Sequence, residues 1–214
     1  MFLENNTKIK LKDFYNRISL LYIAGSGYKA IYKLLFKNGA KIELKGFYNW
    51  TPLLYTIKNG YEAVCKLLFK NGAEIELKDF YNWIPLLYAA ENGHKIIYKL
   101  LLESGAELEL KDFYNQTPLL YAAGSRYNTI YKLLLENSTE IELKNFYNRI
   151  PLLYTAENKH EIIYKLFLKN DTKIELKNFY NWISLLYTTE NGHETIYKLF
   201  FKNNIEIELK DFYN

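Results

Sequence analysis

The sequence is poor in cysteine, methionine and proline, with one, one and four respectively in 214 residues. A single thiol, Cys65, forms neither an internal disulfide nor a cysteine metal cluster, which suits a reducing compartment. Lys or Glu interrupts every hydrophobic run, so no stretch of about 18 apolar residues exists to cross a membrane. The opening residues MFLENNTKIK lack the basic start and apolar run of a secretory signal, and the expected location is the cytoplasm or nucleus. Charge of one sign never accumulates: 28 basic residues alternate with 24 acidic ones, which excludes a basic nucleic-acid arm and an acidic tail. A phosphate-gripping loop is missing too. Gly25-Ser26-Gly27 lacks a Lys-Ser/Thr ending and reads as a turn between helices.

What is abundant is aromatic: 21 Tyr and 13 Phe in a chain that is 49% hydrophobic, a composition that excludes disorder. The aromatics come from repetition. Phe-Tyr-Asn begins at Phe14, Phe47, Phe80, Phe113, Phe146, Phe179 and Phe212, always 33 residues apart. Six complete units result, 13–45, 46–78, 79–111, 112–144, 145–177 and 178–210, with partial units at 1–12 and 211–214. No linker separates them, so 1–214 is expected to be one array. A period of this length marks a solenoid, in which each unit buries its apolar side against its neighbours.

The third unit predicts local structure by itself. Pro85 suits the first turn of a helix, because its fixed φ is already helical and its missing N–H has no partner there anyway. Leu86, Leu87, Ala89 and Ala90 give that helix an apolar side, and Asn92-Gly93 ends it. A second helix is predicted from Lys95 through Leu101, with Ser104-Gly105 as its stop. Leu108 and Leu110 then alternate with Glu107, Glu109 and Lys111 as an extended finger, and Asp112 and Asn115 bracket a turn.

Thr51-Pro52-Leu53-Leu54 and Thr117-Pro118-Leu119-Leu120 resemble the Thr-Pro-Leu-His motif of the ankyrin repeat. Asn92-Gly93-His94, Leu100-Leu101-Leu102 and Gly105-Ala106-Glu107 resemble its Gly-His, apolar triplet and Gly-Ala-Asp. The resemblance implies an all-α ankyrin-repeat solenoid of helix-turn-helix units with projecting hairpin fingers. It also implies a protein-protein interaction module or scaffold that binds a partner through finger tips and concave face. Alternatives are a sensing or autoinhibitory region of a larger signalling protein or enzyme, and a decaying fragment.

Departures from the motif carry expectations of their own. Leu21, Leu54, Leu87, Leu120, Leu153 and Leu186 stand where the family has His, and burying a leucine offsets the lost hydrogen bonds. Ile18, Ile84, Ile150 and Ile183 replace the capping Thr, with Ser19 and Ser184 able to cap one residue further on. Ser138, Asp171 and Asn204 replace the glycine that stops the second helix, while Arg126 and Lys159 replace the glycine between helices. The fourth to sixth units are therefore expected to be the less stable ones. The sixth unit keeps the internal pattern Ile196, Leu199, Phe200, Phe201, and Met1–Asn5 aligns with Leu133–Asn137, so end-to-end self-association through uncapped repeats is expected.

No catalytic, cofactor or metal site is expected. His94, His160 and His193 share one slot that the family also fills with His, and Cys65 takes the helix position of Tyr98 and Tyr131 as a core thiol. Glu74, Glu76 and Lys78 are expected to pair across the finger. Partner contacts are expected where copies differ: Arg17, Trp50, Trp83, Gln116, Arg149 and Trp182, beside Tyr48, Tyr81, Tyr114 and Tyr147 of the repeated Phe-Tyr pair. That pair reads equally as a binding strip or as a structural ladder of stacked rings. Glu43, Glu76, Glu109 and Glu142 among the aromatics disfavour nucleic acid as the partner.

Overall fold

The computed structural model describes residues 25–37, 42–125 and 127–137, with isolated positions at 151, 154–155, 158, 160–162, 165 and 198. Among them the helices are α1 (Lys29–Lys37), α2 (Pro52–Lys58), α3 (Glu62–Lys70), α4 (Pro85–Glu91), α5 (Lys95–Glu103), α6 (Pro118–Gly124) and α7 (Asn128–Glu136). No strand occurs among the described residues, so the fold is all-α. Short seven-residue helices that open on proline alternate with nine-residue ones, as the third unit predicts.

The start of each first helix follows from one side chain. Thr51 Oγ1 accepts from Leu54 N at 3.3 Å and Thr117 Oγ1 from Leu120 N at 3.4 Å, each satisfying an N–H that has no partner inside the helix. At α4 the threonine is Ile84, and its carbonyl rather than its side chain accepts, from Leu87 N at 3.1 Å. The Ile84 side chain is buried instead. Leu54, Leu87 and Leu120 are fully buried as well, so apolar burial stands in for the imidazole of the resembled motif.

Helices α2, α3, α4 and α5 end on left-handed glycines, Gly60, Gly72, Gly93 and Gly105. After α2, Gly60 takes φ 73°, its N–H donates to Ile57 O at 3.0 Å and Tyr61 N donates to Thr56 O at 3.0 Å. These two bonds form a Schellman motif, which closes the last carbonyls of the helix. α6 ends differently: Ser125 is extended (φ −102°, ψ 155°), where Asn59 after α2 is still helical (φ −92°, ψ −1°). The next residue is Arg126 instead of glycine, and a side chain disfavours the left-handed conformation that the motif needs. Arg126, Lys159, Ser138, Asp171, Asn204, Ser19 and Ser184 lie outside the described residues.

The chain divides into two compact units, Met1–Ala89 with Ile96–Ala106, and Ala90–Lys95 with Glu107–Asn214. In the first, α2 and α1 both pack on α3, burying Leu53, Leu54, Ile57, Val64, Cys65 and Leu68. In the second, α6 packs on α7 around Leu119, Leu120, Ile130, Tyr131 and Leu134. The connecting segments depart from the extended finger expected above. Residues 75–76 and 108–109 form turns, and cross-strand pairing of Glu74, Glu76 and Lys78 has no ladder to sit on. One carboxylate bridges successive connections instead: Glu43 Oε1 accepts from Glu74 N at 2.8 Å.

Candidate functional site

The third and fourth finger tips are each built around the aspartate that precedes Phe-Tyr-Asn. Asp79 Oδ1 accepts from Tyr81 N and Trp83 N, both at 2.8 Å, while Oδ2 accepts from the Tyr88 hydroxyl of α4 at 2.7 Å. Asp79 N donates to Trp83 O at 3.0 Å, which closes the loop. Asp112 repeats the arrangement with Tyr114 N, Gln116 N and the Tyr121 hydroxyl at the same distances. Both aspartates are buried, and charge-assisted bonds of this kind hold a turn more firmly than neutral ones. Burial, reinforced by donation to Asp112, pushes the Tyr121 phenol well above the usual tyrosine range, so it remains a donor.

This staple fixes a strained loop. Asn82 and Asn115 have φ of 61° and 56°, tolerable because Asn visits the left-handed region more readily than most residues. In the second copy Gly46 replaces the aspartate, and the tip changes. It becomes a single 3-10 turn, Phe47–Asn49, with both Tyr48 (φ 58°) and Asn49 (φ 60°) left-handed. Sequence reading missed the staple. Its signal is an Asp opening the unit with a Tyr nine residues later, present at Asp79–Tyr88 and Asp112–Tyr121.

The expected contact residues separate into two classes. Tyr48, Tyr81 and Tyr114 are 49%, 47% and 52% exposed, and their neighbours Phe47, Phe80 and Phe113 are exposed alongside them. Trp50, Trp83 and Gln116 are half-buried. The Trp50 ring lies 4.7 Å from Tyr55 and 5.3 Å from Tyr88, and Trp83 lies 4.8 Å from Tyr88. Gln116 Nε2 donates to the Tyr154 hydroxyl at 3.3 Å. Arg17, Arg149, Trp182 and Tyr147 lie outside the described residues.

The Phe-Tyr pairs also contact each other. Tyr48 lies 6.1 Å from Phe80 and 6.0 Å from Tyr81, and Phe80 N donates to Tyr48 O at 2.9 Å. Between these two tips the aromatics form a ladder, and both rungs still face solvent. Ladder and binding strip are compatible.

The remaining candidates are structural. Cys65 is fully buried like Tyr32 and Tyr131 at the same helix position, and burial, with the nearby Glu62 charge, pushes its thiol well above the usual range. A thiol so held is a poor nucleophile. His160 is buried with Nε2 3.3 Å from Gly124 O at the end of α6, the structural slot expected of it. His193 lies outside the described residues. Among the described residues no three His, Cys, Asp or Glu side chains group as metal ligands, and no helix is long and apolar enough to cross a membrane.

A family model described as ankyrin repeats (3 copies) matches residues 1–79 and again residues 77–145. The chain belongs to the ankyrin-repeat family. Its proline-opened helices, glycine-closed turns and projecting tips are thus the ankyrin helix-turn-helix and finger. Ankyrin repeats are in general protein-protein interaction modules and typically lack enzymatic activity. No curated protein matches the chain.

Proposed function

We propose that this ankyrin-repeat chain is a protein-binding scaffold whose contact residues are the exposed Phe-Tyr pairs of its finger tips. The observation that carries the reading is that Phe47, Tyr48, Phe80, Tyr81, Phe113 and Tyr114 all stay between 47% and 58% exposed. Large aromatics held at the surface on rigid turns bury much area at little entropic cost when a partner arrives. Trp50, Trp83 and Gln116 are the half-buried neighbours of these pairs in the sequence. Arg17, Arg149, Trp182 and Tyr147 continue the same register in the sequence, consistent with one array over 1–214. The reading is of a non-enzymatic, cytoplasmic adaptor. Replacing Tyr48, Tyr81 and Tyr114 by Ser together is expected to abolish retention of a purified partner with the far-ultraviolet circular dichroism unchanged. Undiminished retention refutes these contacts.

Self-association is a second reading with its own observation. Ile31 on α1 is 43% exposed, whereas Val64, Ile97 and Ile130, its counterparts in later copies, are buried. Another copy packing on that face covers it as α1 itself helps to cover α3. Sedimentation at rising concentration is expected to show growing assemblies, and a monomer throughout rejects the idea.

A further inference from the structure

Behind the second finger tip, Trp50, Tyr55 and Tyr88 meet at steep angles. The Trp50 plane is inclined by 66° to Tyr55 and by 71° to Tyr88, and Trp83 closes on Tyr88 at 52°. Rings set edge to face expose at least one π-face to whatever sits in front of them. What sits in front of Trp50 is a cation: the Lys58 ammonium lies 4.7 Å from the ring centroid, inside the distance at which an indole attracts positive charge. The lysine is particular to this copy, since the equivalent positions are Gly25, Glu91 and Gly124.

We propose that this aromatic corner is a cation site which takes a lysine side chain from a protein partner, with Lys58 occupying it in the unbound chain. Three features favour a cation over an apolar group. Trp presents the most strongly attracting ring face. The Tyr88 phenol donates to the buried Asp79 carboxylate at 2.7 Å, which enriches in electron density the ring that packs on Trp50. The structure already shows an ammonium as the occupant. Lys58 itself is exposed, so its ammonium can turn into solvent and leave the indole face to a competitor. The proposal rests on the protein-binding reading above but names a different surface from the Phe-Tyr tips.

The test titrates the full chain with Nα-acetyl-lysine methylamide, its side-chain amine free, following the indole N–H signals of Trp50 and of Trp83, which also packs on Tyr88, by nuclear magnetic resonance, with Trp83 as the reporter where Trp50 is replaced. Nα-acetyl-norleucine methylamide, which has the apolar stem without the charge, is the neutral comparison. Lys58→Met is expected to tighten lysine binding roughly twofold to fivefold, the worth of one displaced exposed cation. Trp50→Phe, which keeps a ring with a weaker face, is expected to loosen it in the Lys58→Met background. Equal affinity for the norleucine compound, an unchanged affinity in Lys58→Met, or indifference to Trp50→Phe overturns the proposal. None of these readouts needs the natural partner, so failure here is distinct from failure of the Tyr48, Tyr81, Tyr114 experiment.

Discussion

Two carboxylates show how much a single residue decides in this chain. Asp79 answers two backbone N–H groups and a buried phenol, so its removal leaves several donors without acceptors at once. Asp79→Ala is expected to cost about 2–3 kcal/mol in urea unfolding, more than an ordinary surface change, and a cost under half of one rejects the staple. Glu43 is the opposite case. Its Oε1 accepts from Glu74 N, but Oε2 is buried with no hydrogen-bond partner, and burial above all, then the Glu74 charge, raises its pKa. A raised folded value means that the associated stability is complete below the unfolded value, near 4.5, and is lost as pH rises through the folded one. Glu43→Gln keeps an acceptor for Glu74 N. It is expected to gain a fraction of a kcal/mol at neutral pH and to flatten the pH dependence of unfolding; an unchanged profile contradicts this.

At the scale of helices and turns, two glycines of like backbone differ in their surroundings. Gly72 (φ 78°) has open space where a Cβ would stand, whereas at Gly93 (φ 73°) that Cβ would fall 2.2 Å from the Tyr127 ring. Gly72→Ala is expected to cost about 1 kcal/mol from backbone strain alone, and Gly93→Ala clearly more, because the ring must move as well. Thermal melts that rank them equally refute the packing argument. Gly46 offers the converse change. Its φ of −89° suits any residue, and an aspartate there can staple the second tip as Asp79 staples the third. Gly46→Asp is expected to stabilise by about 1 kcal/mol; a loss shows that the 3-10 tip excludes the staple.

The helices were legible in the sequence because proline, threonine and glycine act through their own backbone. Pro85 opens α4, Thr51 and Thr117 cap, and Gly93 and Gly105 take positive φ where the spacing puts them. The finger was not legible in the same way. Alternation of Leu108 and Leu110 with charges suits a strand, yet no strand occurs among the described residues to partner it, and donation from the Tyr121 hydroxyl, nine residues on, to Asp112 ties down the local path. Likewise the variation at Trp50 and Trp83 gave no sign that their rings pack on Tyr55 and Tyr88, because that packing joins residues five and 38 positions apart.

Over the whole molecule, copies of one unit need not be equally stable. Arg126 and Lys159 stand where Gly27, Gly60 and Gly93 take φ of 72° to 73°, and Ser125 already leaves the helical conformation held by Asn59. Native-state hydrogen exchange is expected to show weaker protection in the fourth to sixth units than in the second and third. Equal protection throughout contradicts it.

Gly27 lies under the Tyr61 ring, and Gly93 under Tyr127, each tyrosine coming from the copy that follows. Each joint therefore links two neighbouring copies: a glycine notch on one and a tyrosine tongue on the next. Duplication or loss of a whole 33-residue block keeps the notch position of one copy in register with the tongue position of the next, whereas an insertion of any other length separates them. Growth and shrinkage by complete blocks is thus the change in length to which this chain is most tolerant.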